Sequence, residues 1–480
     1  MIVSIIFMHS APKSELQHGL FISKKYTKLL HETKSKLMKK TTSLLMVIFL
    51  LAFIPLIAQE EVKDKEKVKT GWSFGAIPVV AYDSDIGFKY GGLVNFYDYG
   101  DGSKYPKYDQ SIYLEWSRTT KGSGINQLTY DTEKLIPGVR MLSEVSYLTE
   151  KALDFYGFNG YNAYYNSSFE DSEDLLYKSR MFYRMDRSML RLKTDFIGKL
   201  PVEHLKWFGG IEFYNNKVDT VDINNLKEGK EPEDLLPGIG GGLYGDFVNW
   251  GIIPSDQTDG GNTTLFKLGA IYDTRDNEPN PMKGIWTELQ FLAAPGFLSD
   301  DYGYTRMALT HRQYFTLVPK ALNLAYRMSY QAKLSGTMPF YMLPFVFNST
   351  PQLTRDGLGG AKTMRGILRN RVVGEDFLYG NVELRWKVLR TVVLNQNFYI
   401  ALAGFADAGM VTGKYEIPEV TDPDAIAWLA QTEDEALHIS YGAGIHFALN
   451  DNFIVTVDYG LAADKRDGDS GMYIGLNFLF

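Results

Sequence analysis

The sequence of 480 residues contains no cysteine, which excludes disulfides, thiolate metal sites, a cysteine nucleophile and a lipid-modified amino-terminal cysteine. Histidine is also scarce. Beyond residue 58 the chain has only His204, His311, His438 and His446. Ser440 lies near His438, but this spacing has no catalytic specificity, because a serine hydrolase needs a serine, a histidine and an orienting group within mutual reach. Acid-rich stretches such as 273–278 lack EF-hand spacing. We therefore predict no enzyme activity, no metal site and no cofactor.

Long apolar runs are nearly absent. The clearest run, Leu44–Ile57, follows a pair of lysines and precedes Ala58. It is too short to span a bilayer as a helix and fits the core of a secretory signal peptide, so we expect cleavage after Ala58. Met38 then resembles the true start, with residues 1–37 as an upstream extension. No other run reaches about 18 apolar residues, so no transmembrane helix is predicted.

The chain also lacks an excess of positive charge. Its formal net charge is −7, and the leader, residues 1–58, carries eight lysines against Glu15 and Glu32. Without the leader the net charge is therefore −13. Nucleic-acid binding is disfavoured, because it requires a basic face. A short charged segment, residues 59–70, separates the leader from the first strand-like pattern.

Aromatic residues and alternation dominate the rest of the chain. It contains 31 Tyr and 29 Phe, and from Gly71 onward the prevailing period is two. In Asn381–Val388 the even-numbered positions are Val, Leu, Trp and Val, whereas the odd-numbered positions are Asn, Glu, Arg and Lys. Residues Met472–Phe480 continue the pattern, with Phe478 and Phe480 on the apolar face. Such alternation predicts β-strands with one apolar and one polar face.

About sixteen such segments can be counted, with boundaries good to about two to four residues. They begin near residues 72, 86, 109, 124, 139, 177, 204, 262, 284, 302, 320, 375, 396, 436, 452 and 471. Connections after even-numbered segments are mostly short, whereas those after odd-numbered segments include the longest, near 151–176, 217–261, 335–374 and 411–435. This asymmetry is typical of outer-membrane barrels.

The pattern predicts an all-β fold, a transmembrane antiparallel β-barrel of about sixteen strands over residues 71–480. In hydrocarbon every backbone N–H and C=O must be paired, so a membrane-spanning sheet must close on itself. The mean hydropathy of −0.18 agrees, because the strands of a membrane barrel alternate apolar and polar residues. Soluble β-sandwiches are the alternative explanation of the alternation.

One predicted loop, Gly357–Arg371, contains a glycine cluster followed by Lys362 and Thr363 and then by arginines. A nucleotide-binding P-loop needs the pattern G-x-x-x-x-G-K-[ST], whose glycines let backbone N–H groups close around phosphate oxygens. Here Asp356 and Ala361 occupy the required glycine positions, and no helical pattern follows. Phosphate binding is therefore disfavoured.

Several motifs resemble the bacterial surface antigen family, also known as the outer-membrane protein assembly factor superfamily, whose members have sixteen-stranded barrels. YDTRDNEPNPMKG resembles its strand-turn motif and contributes Asp273, Arg275, Asp276 and Gly284. TMRGILRNR resembles the arginine-glycine motif of the family's long sixth extracellular loop. FADAGMV and YGAGIHFALNDNFIVTVDYG resemble its last strands, and Phe480 its assembly signal. The resemblance covers residues from about 71 to 480 and is strongest after residue 262.

The resemblance implies that the sixth loop folds back into the barrel lumen, where its arginine pairs with acids on neighbouring strands. In this sequence Arg365 and Gly366 match the motif, and Arg365 would meet Glu383 and Asp407. The alternation places both acids on polar strand faces, in agreement with this expectation. The glycines would let the loop turn and pack closely. A solvated loop arginine is the alternative.

The first predicted strand contains Gly75 and Pro78. Proline cannot donate to a ladder and is confined to edges, strand starts or bulges. It therefore indicates weak pairing at the seam between the first and last strands, to which Gly475, Phe478 and Phe480 contribute from the other side. In the family that this chain resembles, the seam opens laterally to let substrate strands through. A local bulge without function is the alternative.

The chain departs from the family in one respect. Assembly and secretion members carry periplasmic polypeptide-transport-associated (POTRA) domains before the barrel, and residues 59–70 leave no room for one. The resemblance implies a barrel in the outer membrane of a Gram-negative bacterium, surrounded by lipid, that assists insertion, assembly or translocation of proteins or lipids. Expected partners are nascent outer-membrane or secreted proteins and a periplasmic protein in place of POTRA domains. A passive pore or structural surface barrel is the alternative, and an enzyme is the least favoured.

Overall fold

The computed structural model describes residues 67–83, 87–230, 235–349, 356–393, 396–450 and 452–480. The predicted leader, with its signal peptide and cleavage site, lies outside the described residues, as does most of the charged segment 59–70.

Sixteen strands form one sheet in which each strand pairs with its neighbours in sequence order, and every pair is antiparallel. The strands are β1 Trp72–Asp83, β2 Gly87–Asp98, β3 Gln110–Thr119, β4 Gly124–Ile136, β5 Val139–Asp154, β6 Arg184–Lys199, β7 Leu205–Asp219, β8 Gly260–Asp273, β9 Gly284–Ala294, β10 Tyr304–Val318, β11 Leu322–Gly336, β12 Asp376–Val393, β13 Gln396–Gly413, β14 His438–Leu449, β15 Phe453–Ala462 and β16 Ser470–Leu476. The predicted all-β fold with about sixteen strands is confirmed.

The connections have the predicted asymmetry. The long ones follow odd-numbered strands and are named loop 3 (155–183), loop 4 (220–259), loop 6 (337–375), loop 7 (414–437) and the shorter loop 8 (463–469). The opposite end carries short turns such as 137–138 and 200–204, with longer ones at 99–109 and 274–283.

Short helices occur within the connections that follow odd-numbered strands. The α-helices described are α1 Ile223–Lys227, α2 Gly242–Asn249 and α3 Pro423–Leu429, and the 3-10 turns are Gly160–Asn162, Ser167–Phe169, Gly296–Leu298, Phe340–Met342 and Lys465–Asp467. The start of α3 follows from its sequence, because the Asp422 side chain accepts hydrogen bonds from the N–H groups of Asp424 and Ala425 and Pro423 fills the first turn. Within the described part of the chain, no helix combines the length and the apolarity that crossing a bilayer requires.

The burial of the strands is the reverse of that in a water-soluble protein. In β12, the outward Leu384 is 45% exposed, whereas the inward Glu383 is 0% exposed and its neighbour Arg385 is also buried. The same inversion runs through β6, β8 and β10, where arginines and lysines are buried and leucines and phenylalanines face outward. An apolar outer face with a polar interior is the arrangement of a barrel surrounded by hydrocarbon.

The long loops converge on an aromatic core above the lumen. Phe155 and Phe158 of loop 3 contact Phe247 of α2, and Phe158 also contacts Phe340 of loop 6, with ring centroids 5.5 to 6.3 Å apart. Tyr415 of loop 7 lies 4.6 Å from Phe158. These loops therefore share one buried cluster and form a packed cap. Edge-on and tilted aromatic pairs stabilise such a cap beyond the effect of burial alone.

The first two strands contact β15 through side chains. Gly75 of β1 leaves room for the ring of Phe453 in β15, which a Cβ at position 75 would overlap. Phe453 also shares a buried cluster with Tyr97 of β2. Pro78 pairs with Gly92, and the β1–β2 register runs past it without a shift, as expected for a proline on an edge strand.

The chain after β16 differs from the prediction. Met472 and Ile474 lie on the outer face as expected, but Phe478 and Phe480 do not. The prediction that one apolar face is shared by Met472, Ile474, Leu476, Phe478 and Phe480 was therefore wrong. The strand ends at Leu476, and Asn477 adopts a left-handed conformation with φ +63°. This turn sends Phe478 and Phe480 into the lumen, where both are buried.

Candidate functional site

Loop 6 enters the lumen through a tightly folded segment. The Thr363 hydroxyl accepts a hydrogen bond from the N–H of Gly359 at 2.9 Å, which folds the glycine cluster onto itself. Gly366 has φ +98°, and a Cβ there would lie 2.6 Å from the backbone nitrogen of Leu461 in β15. A Cβ on Gly460 would lie 2.6 Å from the carbonyl of Arg365. Two facing glycines therefore permit backbone contact between loop 6 and the barrel wall.

Arg365 is 1% exposed and is surrounded by carboxylates. Its Nε and Nη2 donate to the two oxygens of Asp407, both at 3.0 Å, and Nη1 lies 2.6 Å from Glu383. The backbone N–H of Arg365 also donates to Asp407. The structure thus brings together Arg365, Glu383 and Asp407, as the resemblance implied, in a bidentate geometry that lysine cannot reproduce.

Sequence reasoning missed further members of this site. Asp458 of β15 lies 3.2 Å from Arg365 Nη1 and 2.8 Å from His446 Nε2. The ring of Phe405 lies under the guanidinium, 3.5 Å from its centroid. The phenolic oxygen of Tyr473 in β16 accepts a hydrogen bond from Gly366 N–H at 2.9 Å. Asp458 could have been found from the alternation of β15, which puts it on the polar face.

The upper part of loop 6 is fixed by a second set of ionic contacts. Arg369 lies 2.5 Å from Glu150 of β5 and 2.6 Å from Asp356 of its own loop. Arg187 of β6 lies 2.6 Å from Glu150 as well. Arg371 donates to the backbone carbonyl of Arg466 in loop 8 at 2.7 Å. Loop 6 therefore bridges the lumen between β5–β6 on one side and the β15–β16 hairpin on the other.

The strand-turn motif forms a self-contained turn at the end of β8. Arg275 makes a bidentate contact with Asp273, at 2.9 and 3.1 Å, and the Asp276 carboxylate accepts the N–H of Met282 at 3.0 Å. Gly284 starts β9 with φ +110°, a conformation that favours glycine. The motif residues predicted from the sequence are therefore neighbours in space and shape the turn 274–283.

This turn also reaches across the short-turn end of the barrel. Glu278 accepts hydrogen bonds from Arg140 of β5 at 2.8 and 2.9 Å. Burial opposes ionisation of Glu278, but the guanidinium groups of Arg140 and Arg275 outweigh it and lower the pKa of Glu278 from 4.5 to about 2. The turn is thus tied ionically to a strand that is not its neighbour in the sheet.

The histidines have structural partners. His438 lies between Asp467, at 2.6 Å, and Glu435, at 3.3 Å, while Tyr161 stacks on its ring. Ser440 pairs with Asp407 of β13 in the ladder. Among the residues that the structure describes, no group of three or more acidic or histidine side chains is arranged to hold a metal ion.

Comparisons with known proteins agree with this geometry. A family model described as the Omp85 superfamily domain matches residues 159–480, more than half of the chain. Among solved structures, CdiB from Escherichia coli aligns with a TM-score of 0.50 at 10% sequence identity, covering 88% of this chain and 69% of that chain. BamA from Haemophilus ducreyi lacking POTRA domains 1–3 aligns with a TM-score of 0.43 at 14% identity, covering 85% and 69%. A search of curated proteins found no match. The similarity to CdiB supports the barrel fold.

Proposed function

Because this chain belongs to the Omp85 superfamily, we propose that it is an outer-membrane barrel that assists the insertion, assembly or translocation of proteins, or of lipids, at the outer membrane of a Gram-negative bacterium. The observation that carries this proposal is the docked loop 6, whose Arg365 is buried among Asp407, Glu383 and Asp458. Because this loop is firmly held inside the lumen, it supports a role in which the substrate contacts the barrel wall instead of passing through an open pore.

The seam between β1 and β16 is the part of the wall that supports this role. β16 spans only Ser470–Leu476, whereas its neighbour β15 spans Phe453–Ala462. β1 and β16 stand at the two ends of the strand order. In a membrane, unpaired backbone groups are costly, so a short terminal strand is the easiest place for a substrate strand to pair.

We include a periplasmic partner in the proposal. Residues 67–70 precede β1 and contact the barrel through Asn397, whose side chain donates to the Lys67 carbonyl and accepts from the Lys67 N–H, both at 2.9 Å. These residues run along the short-turn end of the barrel. Substrate delivery would then be provided by another protein at that end. The proposed role requires no catalysis and no cofactor.

The proposal is tested by depleting the protein and comparing the outer-membrane and surface proteomes before secondary effects appear. We expect a defined group of outer-membrane or secreted proteins to be lost, with recovery on complementation by the wild-type gene. Unchanged proteomes after verified depletion would refute the assembly role.

Conductance measurements in planar bilayers distinguish the proposed assembly barrel from a passive pore. The docked loop predicts small, flickering currents, because loop 6 and the polar inner faces fill the lumen. A steady, large conductance from the wild-type barrel would favour a passive pore instead.

A further inference from the structure

The residues that follow β16, Asn477–Phe480, cross the lumen and are called the inner segment. The Asn477 N–H donates to the Ile454 carbonyl at 2.7 Å, the last sheet hydrogen bond of this stretch. Beyond that bond Phe478 still contacts Ile454 of β15, whereas Phe480 reaches β10, β11 and β12. Ordering the backbone of each residue carries an entropic penalty. Contacts at the far end of the inner segment must therefore offset this penalty if the segment is to stay ordered.

The two aromatic rings of the inner segment occupy separate sites. Phe478 packs against Tyr399 and Ile454, with its ring 5.0 Å from that of His446. Phe480 packs against Tyr314 of β10 and Ala325 of β11. Both rings are buried although neighbouring side chains of β16 face outward.

Two buried arginines complete the site. The Arg385 guanidinium lies 4.3 Å from the Phe478 ring centroid and 4.8 Å from that of Phe480, so it stands between the two rings. Its Nη2 donates to the Phe480 carbonyl at 2.9 Å, and its Nη1 is buried with no hydrogen-bond partner among the residues that the structure describes. Arg327 lies 5.2 Å from the Phe480 ring and donates to the Leu479 carbonyl. Cation–π contacts are strongest in such water-excluded places.

We propose that Arg327, Arg385, Tyr314 and Ala325 form a peptide-binding pocket, which takes an extended segment carrying aromatic residues two positions apart and is filled here by the chain's own inner segment. The guanidinium groups donate hydrogen bonds to the backbone carbonyls and contact both rings. The small side chain of Ala325 leaves the space that the ring of Phe480 fills. The site is specific for this pattern because one arginine must contact both rings.

The pocket is also connected to loop 6. Arg327 Nη2 donates to the Lys362 carbonyl of loop 6 at 3.2 Å, while its Nη1 contacts the inner segment. Release of the inner segment therefore removes a contact that fixes Arg327, which in turn supports loop 6, and frees a binding site inside the lumen. This inference is independent of the assembly role, since it concerns only the isolated barrel.

Peptide binding by the purified full-length barrel in detergent tests the pocket. The probe is a fluorescent, amidated peptide with the sequence Asn-Phe-Leu-Phe. We expect saturable binding to a Phe478→Ala/Phe480→Ala double variant, which vacates both ring sites, and none to wild type, whose pocket is filled. A peptide with alanine at both Phe positions should not bind. The matched control is Ile474→Ala, which removes an exposed side chain from β16 and should behave as wild type. A folded double variant that does not bind the probe overturns the proposal.

A second measurement covers the case in which the Phe478→Ala/Phe480→Ala variant does not fold. The chain has no native cysteine, so Leu479→Cys reports on the inner segment through its labelling rate with a water-soluble maleimide. Adding Ala325→Trp fills the pocket from the wall and should raise that rate by about tenfold or more, because the aromatic and cation–π contacts are lost. Leu175→Cys in the exposed part of loop 3 should label rapidly in both backgrounds. Equal slow labelling of Leu479→Cys with and without Ala325→Trp would show that the pocket does not hold the segment.

Discussion

Individual residues decide whether loop 6 stays in the lumen. Arg365 is buried with three carboxylates, so its removal leaves negative charges without a partner in a water-poor place. We expect Arg365→Ala to lower the free energy of unfolding by about 3–5 kcal/mol, the range for breaking a buried pair. Heat-modifiability on cold gel electrophoresis measures this as a lower temperature of barrel unfolding.

Arg466→Ala is the matched control, since Arg466 forms exposed ion pairs with Asp464 of its own loop 8 and with Glu433 of loop 7. Exposed pairs contribute about 0–1 kcal/mol, so this variant should unfold near the wild-type temperature. If the two arginine variants unfold together at the wild-type temperature, Arg365 does not hold the loop.

Glycine at position 460 provides a second test at this scale. Gly460→Ala places a Cβ 2.6 Å from the Arg365 carbonyl, so loop 6 must move away from β15. We expect greater protease sensitivity of loop 6 and a larger single-channel conductance. Gly404→Ala is the control, because a Cβ there meets nothing within 4 Å. Equal protease sensitivity of the two variants would contradict the close contact.

At the scale of elements, the turn 274–283 acts as a brace across the short-turn end. The pKa of Glu278 is lowered from 4.5 to about 2 by Arg140 and Arg275, against the opposing effect of burial. A depressed folded-state pKa means that this contribution is fully present above about pH 4.5 and is lost as the pH falls towards 2. Glu278→Gln should therefore be less stable than wild type at neutral pH, and the two stabilities should converge below pH 2.

Chemical unfolding of both proteins across this pH range measures the effect, with Glu203→Gln in the exposed turn 200–204 as the control. A Glu278→Gln variant whose stability stays parallel to that of wild type from pH 5 to pH 2 would contradict the brace.

A clasp of polar contacts joins the first hairpin to the last strands. Asn452 donates to the Tyr99 hydroxyl at 2.9 Å and to the Pro106 carbonyl, while its own carbonyl accepts from the Tyr97 hydroxyl at 3.0 Å. We expect Asn452→Ala to lower the temperature of barrel unfolding, because the buried Tyr99 hydroxyl and the half-buried Pro106 carbonyl lose their donor. Leaving a buried acceptor unpaired typically costs about 1–3 kcal/mol. Asn126→Ala, on an exposed strand face, is the control. Equal unfolding temperatures would show that these contacts do not fasten the seam.

The elements that sequence could predict are those controlled by alternation. Strands β4, β5, β9 and β13 start at their predicted residues because apolar and polar positions alternate from their first residue. The sixth strand was predicted near 177 but starts at Arg184, because Phe182 and Tyr183 pack with loop residues instead of extending the strand. The inward turn at Asn477 had no signal, since Phe478 and Phe480 continue the pattern of β16.

The candidate site divides in the same way. The positions of Glu383 and Asp407 could be predicted from the sequence, because the alternation along a strand fixes which face each residue occupies. The same alternation would have placed Asp458 on the polar face of β15, but it could not show that this acid reaches Arg365. The contact of Tyr473 with Gly366 depends on how distant strands curve around one lumen, and a local pattern carries no information on that curvature.

On the scale of the whole molecule, an apolar outer face requires hydrocarbon around the barrel. Tryptophans on the two faces provide a direct test, since Trp116 in β3 is 48% exposed and Trp286 in β9 is 4% exposed. In bilayers of brominated phospholipid, a variant retaining Trp116 as its single tryptophan should be strongly quenched. A variant retaining only Trp286, which packs among lumen residues beside Arg312 and Arg275, should keep most of its fluorescence. Equal quenching of both, or a processed protein that remains monomeric in water without detergent, would mean that the apolar face meets something other than lipid.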